Sequence, residues 1–252
     1  FIAYGLATTA GGNGFNGLIS NVRIYKGATA SAPYLATSTT ITVPTSPLTS
    51  ITNTSLLTCQ SSTFIDNSTN NFAITAFGNS QPTIQNPFGF TTATTNGYTS
   101  NTIGGGGYFN GGSYLVPSAT ANTAMQSIAN SLITIEFWVY TTAIQAITAY
   151  TTSVFGQFLS AAMNGRYIIS LGASSTVSSQ QVSFGWTTST STSEGVTSSI
   201  TLNQQSWNHV AITIDSTTPA SSIITIYSNG VGQIFTGKNL SSQTVDNGSP
   251  FY

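Results

Sequence analysis

The chain has 252 residues, of which 39% are hydrophobic and only 4% are charged, and its formal net charge is −1. This composition can form a core, and it excludes a disordered chain, which combines low hydrophobicity with high net charge. Lys and Arg number four in all and cannot line a phosphate groove, so we expect neither a nucleic-acid nor a membrane partner.

Short runs of strand-forming residues follow one another along the chain between Gly, Asn, Ser and Pro, with almost no helical periodicity. The first run begins at the first residue and continues into "GFNGLISNVRIYKGA". Pro44 and Pro47 cannot donate to a central strand ladder. We therefore predict a linker over residues 44–54, between a short piece, residues 1–43, and a long piece, residues 55–252.

Further along, "YFNGGSYLV" predicts a hairpin with a Gly-rich turn at Gly111 and Gly112. The segment "LITIEFWVYTT" carries bulky residues at both alternating sets of positions, which predicts a central strand packed on both faces. Strands are also predicted for "RYIISLG", "QVSFGWTT" and "SWNHVAITID". Asn229-Gly230 between two apolar segments predicts a type I′ hairpin. Many short strands of this kind indicate an all-β, two-sheet antiparallel sandwich.

In this order, the segments resemble a laminin G-like domain of the concanavalin A-like lectin/glucanase superfamily. "LLTCQSSTFIDNSTNNFAITAFGN" resembles its opening strands, "GGGGYFNGGSYLVPSA" its second segment, and "ITIEFWVYTT" its hallmark strand. "QQSWNHVAITID" and "ITIYSNGV" resemble the paired strands before the Asn-Gly hairpin. The segments that resemble the closing strands of the family are "PFY", "FIAYG" and "GFNGLISNVRIYKGA". The last two of these segments stand first in the numbering. The resemblance implies a two-sheet antiparallel jelly-roll sandwich whose sequence is circularly shifted.

The circular shift suggests one period of a tandem repeat, in which residues 1–43 close their own sandwich or that of a neighbouring copy. We expect a structural repeat unit that assembles head to tail with copies of itself into an extracellular fibre, filament or virion appendage, at a cell surface or on a virion. Strands would be shared or continued between copies, and a permuted monomer remains the alternative. The predicted assembly seam comprises Phe1, Ile2, Tyr4, Pro250, Phe251 and Tyr252.

The resemblance leaves a second function open, a carbohydrate-binding or adhesion module of a surface or phage tail protein, with glycans as partners. Exposed aromatic rings would then stack against sugars, and the candidates are Trp186, Tyr150, Tyr108 and Tyr114. Trp138 and Trp207 are expected to be packing residues by the family pattern.

An enzyme is not expected. The glucanases of the superfamily carry paired acids two and four residues apart on one strand, whereas Glu136 has no acidic neighbour in its strand. A buried acid needs a partner. Because the closing and hallmark strands are both central in the family that the segments resemble, we predict a structural ion pair between Arg23 and Glu136. His209 is the only histidine, and we interpret it as a strand residue that forms a hydrogen bond near Trp207.

No metal or cofactor is expected from one histidine, the lone Cys59 and scattered acids. The resemblance leaves open a loose calcium site at the rim of the sandwich, for which Asp66, Asp215 and Asp246 are the contributors. Four sequons would accept glycans in a suitable host, at Asn53, Asn67, Asn239 and Asn247.

Overall fold

The chain folds into an all-β sandwich of antiparallel sheets, which confirms the predicted fold class. A computed structural model describes residues 2–3, 14–27, 31–88, 105–118, 128–142, 153–157, 167–172, 180–187 and 193–241. The strands are β1 (Asn16–Gly27), β2 (Thr54–Thr58), β3 (Ile74–Phe77), β4 (Gln81–Thr83), β5 (Gly106–Asn110), β6 (Tyr114–Pro117), β7 (Leu132–Thr141), β8 (Ser153–Gln157), β9 (Tyr167–Gly172), β10 (Gln180–Thr187), β11 (Ser193–Leu202), β12 (Trp207–Asp215), β13 (Ser222–Ser228) and β14 (Val231–Lys238).

The first sheet has eight strands in the order β14-β13-β12-β7-β1-β5-β4, and β2 also pairs with β1. Strand β7 lies between β1 and β12. Its residues Ile133, Ile135, Phe137 and Val139 belong to the core, and the alternate residues lie on the opposite face and are also largely buried. The prediction of a central strand packed on both faces is therefore confirmed.

The second sheet contains the four strands β11-β10-β9-β8 and the pair β3-β6. Ile2 joins these two parts, because it forms a bridge to Leu115 of β6 on one side and to Phe155 of β8 on the other. Its amide donates to the carbonyl of Leu115 over 3.1 Å, and the next amide, that of Ala3, donates to Val154 over 2.7 Å. Ile2 is fully buried in the core between the sheets. The other five residues of the predicted seam lie outside the described residues.

The predicted hairpin at residues 108–116 is wrong. Strand β5 pairs with β1 and β4 in the first sheet, whereas β6 pairs with β3 in the second, so the Gly-rich turn carries the chain from one sheet to the other. Gly111 has a φ of 85°, which glycine adopts readily. Its carbonyl accepts from the Gly14 amide over 3.0 Å, so the crossing is tied to the segment that enters β1.

By contrast, the hairpin predicted at Asn229-Gly230 is confirmed. These two residues connect β13 to β14, with Ser228 opposite Val231, and both have positive φ angles, 51° and 87°. Positive φ at both central positions is what a type I′ turn requires.

A bulge in β1 decides which face Arg23 occupies. Between Ser20 and Arg23 the register with β7 shifts, so that three steps along β1 match two steps along β7. The shift occurs at Asn21, whose φ is 54°, a left-handed conformation that Asn tolerates better than most residues. Strict alternation would have aimed Arg23 into the core with Ile19, and the extra residue turns it to the opposite face.

Residues 31–43, which we call the strap, lie against β13 and β14 of the same chain. Tyr227 Oη donates to the carbonyl of Leu35 over 2.8 Å, and the Ile41 amide donates to Gly230 over 2.9 Å. The following segment, residues 44–53, contains no strand but is held to the sheet, and the last residue of the predicted linker, Thr54, begins β2. Leu48 within it is 8% exposed, and its amide donates to Asn21 Oδ1 over 2.8 Å.

Candidate functional site

A row of large side chains crosses the face of the first sheet that is turned away from the core, which we call the outer face. Tyr108 of β5 lies opposite Leu18 of β1, Leu18 lies opposite Tyr140 of β7, and Tyr140 lies opposite Trp207 of β12. Directly opposed residues on neighbouring strands project from the same face of a sheet. The three aromatic side chains and Leu18 between them therefore form one row across the strands, which we call the aromatic row.

The aromatic row forms the floor of an open groove of about 400 Å³. Tyr108 is 41% exposed, and the other three members of the row are partly exposed. The rings of Tyr140 and Trp207 meet edge to face, with centroids 5.8 Å apart and planes at 66°. The remaining lining residues are Gly17, Gln85, Asn86 and Thr142.

The polar groups of the side chains that line the groove suit a ligand with many hydroxyl groups. Within the described part of the chain, no side chain or backbone group forms a hydrogen bond with the hydroxyls of Tyr108 and Tyr140 or the indole N–H of Trp207. The side-chain amide of Gln85 and the hydroxyl of Thr142 have no such partner there either. Large apolar rings with unengaged polar ends suit ligands that are apolar on one side and hydrogen-bonding on the other.

Other parts of the chain cover Trp138 and His209 on the outer face. Phe88 packs edge-on against Trp138, with ring centroids 5.7 Å apart. Tyr34 of the strap lies over His209, with ring centroids 6.4 Å apart. The groove therefore lies beside covered parts of this sheet face, at the end of β7 that carries Tyr140.

Beneath the strap lies a buried ionic cluster. Arg23 Nη2 is 2.5 Å from Glu136 Oε1, and the two side chains are 8% and 0% exposed. Arg23 Nε donates to the same oxygen over 2.7 Å. The other carboxylate oxygen accepts from Tyr34 Oη over 2.9 Å and lies 3.4 Å from His209 Nε2. The structure thus brings Arg23 and Glu136 together as an ion pair, and both carboxylate oxygens are occupied.

The ionic cluster favours the charged form of its carboxylate. Burial alone would raise the pKa of Glu136, but the hydrogen bond from His209 and the charge of Arg23 outweigh it and hold that pKa below its usual value. Burial, together with the charge of Glu136, raises the pKa of the Tyr34 hydroxyl. Glu136 is therefore a fixed, buried anion, which is unlike a general acid that must carry a proton.

The residues predicted to stack against sugars have separate positions. Tyr108 lies in the groove. Trp186, by contrast, is 3% exposed within the core, and its indole N–H donates to the Asn239 carbonyl over 3.2 Å, so it cannot stack against a ligand. Tyr114 stacks on Phe77 at 4.9 Å in the second sheet, away from the groove. Tyr150 lies outside the described residues.

Sequence reasoning assigned Trp207 to packing and did not select Tyr140, yet both line the groove. Alternation along β7 already placed Tyr140 on the face opposite the core residues. The register that sets Tyr140 beside Trp207 and, through Leu18, in line with Tyr108 is a property of strand pairing, which alternation within one strand does not reveal.

The predicted sequons differ in accessibility. Asn53 and Asn239 are exposed. Asn239 Oδ1 accepts from the amide and the hydroxyl of Ser241, over 3.0 and 2.5 Å. The amide nitrogen of Asn67, by contrast, donates to Gln60 and Ser61 over 3.2 and 3.0 Å, and a glycan on this nitrogen would disturb both bonds. Asn247 lies outside the described residues.

The acids considered for calcium are engaged within the chain. Asp66 is 3% exposed and accepts from three backbone amides and the Ser68 hydroxyl. Asp215 Oδ1 accepts from the amide and the hydroxyl of Thr217. Asp246 lies outside the described residues. In the ranges that the structure describes, no three His, Cys, Asp or Glu residues lie together as a metal site would require.

Comparison with known proteins agrees with the observed architecture. The model of the Laminin_G_3 family, described as the concanavalin A-like lectin/glucanases superfamily, matches residues 110–252. No curated protein and no solved structure matched the chain. The described residues include no helix that is long and apolar enough to cross a bilayer. The matched residues cover more than half of the chain and contain four of the eight strands of the first sheet and five of the six strands of the second. The chain therefore belongs to the laminin G-like family of the concanavalin A-like superfamily.

Proposed function

We propose that this sandwich is a carbohydrate-binding or adhesion module that works outside the cell, and that its ligand binds in the groove of the first sheet. The aromatic row carries this proposal, because it offers large rings and unengaged polar groups in one open groove. Membership of a lectin and glucanase superfamily supports a glycan as the ligand.

The proposed role is binding without hydrolysis. Glycoside hydrolysis uses two carboxyl groups, about 5–10 Å apart, on either side of the scissile bond. Glu136 is fully buried and engaged by Arg23, Tyr34 and His209, and the described residues that line the groove include no acid. A surface or phage tail protein would use such a module for attachment.

The test is a glycan array probed with the intact chain, the Tyr108→Ala variant and the Phe77→Ala variant. Tyr108 and Phe77 are both 41% exposed aromatic residues, but Phe77 lies on the second sheet, which makes its variant a matched control. We expect glycan binding that is weakened by Tyr108→Ala and unchanged by Phe77→Ala. An intact, folded chain that binds no glycan on the array would contradict the carbohydrate-binding function.

A second candidate function is a structural repeat unit that assembles head to tail into a fibre, filament or virion appendage. The position of Ile2 favours it, because the short N-terminal segment bridges β6 and β8 and so completes the second sheet. Strand β1, between β7 and β5, also comes from residues outside the family match. Such strands could be supplied within one chain or by the next copy, as in β-strand addition. A circularly shifted tandem repeat is the corresponding arrangement of the sequence.

Sedimentation analysis of the intact chain over a range of concentrations, with and without a peptide of residues 1–27, tests the assembly function. Strand sharing predicts oligomers that grow with concentration and shorten when the peptide competes for the gap between β6 and β8. A monomer at every concentration, unaffected by the peptide, would contradict assembly and would leave the carbohydrate-binding function intact.

A further inference from the structure

We propose that the groove selects an extended, neutral oligosaccharide that lies across strands β5, β1, β7 and β12, and that it rejects anionic glycans. This inference rests on the carbohydrate-binding function proposed above and specifies the chemical class, the length and the direction of its ligand.

Among the residues that the structure describes, the lining of the groove contains no charged side chain. The nearest members of the sheet that carry charge on this face, Arg23 and Glu136, neutralise each other beneath the strap. A sulfate or carboxylate bound here would lose its hydration without gaining a cationic partner, which is costly. A neutral sugar loses only hydroxyl hydration, which the polar ends of the groove residues can replace.

The length of the aromatic row sets the length of the ligand. Tyr108 and Trp207 belong to strands separated by three strand intervals, which corresponds to about 14 Å along the row. A single sugar ring covers one of these platforms, whereas a chain of several sugars reaches from one end to the other. Because the row runs across the strands, the ligand must also run across them.

The polar groups of the groove are distributed along the same line. Tyr108 and Tyr140 each offer a hydroxyl that can donate or accept, and the Trp207 indole offers a donor. Gln85, which is exposed, offers both a carbonyl oxygen and an amide N–H₂ beside Tyr108. Donors and acceptors therefore alternate with apolar surface, and this pattern matches hydroxyl groups around sugar rings rather than a compact ion.

The experiment measures the affinity of the intact chain for two sets of probes by titration calorimetry. The neutral set contains glucan, mannan, galactan and xylan oligosaccharides from monosaccharide to hexasaccharide, and the anionic set contains heparin and oligogalacturonate fragments. We expect binding to neutral oligosaccharides, stronger for longer chains until the row is spanned, and unchanged by added salt because no charge is involved. Tyr108→Ala should weaken this binding by about tenfold, as expected for the loss of one stacking platform.

The Phe77→Ala variant, which removes an equally exposed ring from the second sheet, should bind like the original chain. Binding confined to the anionic probes and weakened by salt would overturn the inference while leaving the carbohydrate-binding function standing. Binding of neutral oligosaccharides that does not depend on their length, or that is unchanged by Tyr108→Ala, would also overturn the inference and leave the carbohydrate-binding function standing. Failure of every probe to bind, together with an empty glycan array, would instead remove the carbohydrate-binding function itself.

Discussion

Single residues fix the electrostatics of the outer face, and the pair of Arg23 and Glu136 is the clearest case. This pairing was predicted because a buried acid needs a partner and because the closing and hallmark strands are both central in the family. The hydroxyl of Tyr34 and the ring of His209 were not predicted as additional partners of the carboxylate. Tyr34 belongs to the strap and His209 belongs to β12, and the contact of both residues with Glu136 depends on tertiary packing.

Removing the cation of the pair should be costly. Arg23→Met would leave the buried Glu136 carboxylate without its strongest partner, and loss of one member of a buried pair typically costs about 3–5 kcal/mol. We expect a loss of this order in the free energy of unfolding, measured by urea denaturation. Lys238→Met, which removes a less buried cation from β14, is the control and should change that free energy by less than about 0.5 kcal/mol. Equal effects of the two substitutions would contradict the structural role of the pair.

The same pair predicts how stability depends on pH. The pKa of Glu136 is lower in the folded chain than its ordinary value of 4.5, so its contribution is complete above pH 4.5 and is lost as the pH falls through the folded pKa. Arg23, His209 and Tyr34 are the polar groups that face this carboxyl. We expect Glu136→Gln to lower stability at neutral pH and to flatten the loss below pH 4.5, measured by urea denaturation at each pH.

Glu194→Gln provides the comparison for this titration, because Glu194 is exposed on β11. Its pH profile should follow that of the original chain. A Glu136→Gln profile that falls as steeply in acid as the original would show that the buried carboxylate does not contribute to the acid sensitivity.

At the level of elements, local sequence patterns predicted where the chain turns, but they did not reliably predict which sheet the flanking strands join. The Asn229-Gly230 turn was predictable because two adjacent positive φ angles favour that dipeptide. The turn at Gly111 was also recognised, but the assignment of its flanking strands to one hairpin was wrong. A Gly-rich turn marks where the chain changes direction, and it does not specify whether the next strand joins the same sheet or the facing one.

The bulge in β1 is the element on which the ionic cluster depends. Asn21→Gly keeps the backbone conformation but removes the side-chain oxygen that accepts from Leu48 and Gln60, and it should cost about 1–3 kcal/mol. Asn21→Val removes the same bonds and also strains a β-branched residue at positive φ, so its cost should be larger. Thermal or urea unfolding of both variants measures the difference. A Val variant as stable as the Gly variant would show that the bulge conformation is not required.

At the scale of the whole molecule, Ile2 belongs to the core between the two sheets. Ile2 is fully buried and connects the two parts of the second sheet. Ile2→Ala should therefore lower the free energy of unfolding by about 2–5 kcal/mol and speed hydrogen exchange at the Leu115 amide, which donates to the Ile2 carbonyl. Ile84→Ala, at a residue that is 51% exposed, should have little effect. A similar loss in both variants would contradict the closing role of Ile2.

The groove itself could be predicted only in part. The sequence indicated an all-β sandwich, and Tyr108, one of the candidates for stacking against sugars, lies in the groove. Trp207 was instead assigned to packing, and Tyr140 was not selected. Trp186 and Trp207 both lie in predicted strands. Trp186 faces the core, whereas Trp207 lines the groove, and strand pairing in the folded sheets decides this difference.

Trp207 offers the most direct test of the central claim, that a glycan binds on the aromatic row. The chain has three tryptophans, and Trp138 and Trp186 are buried while Trp207 is partly exposed in the groove. A nuclear magnetic resonance titration should follow the three indole N–H signals, assigned by single Trp→Phe variants, while the best-binding glycan of the array is added. The groove predicts a saturable shift of the Trp207 signal with the other two signals nearly still. Binding that leaves the Trp207 signal unmoved would place the glycan elsewhere and contradict the account.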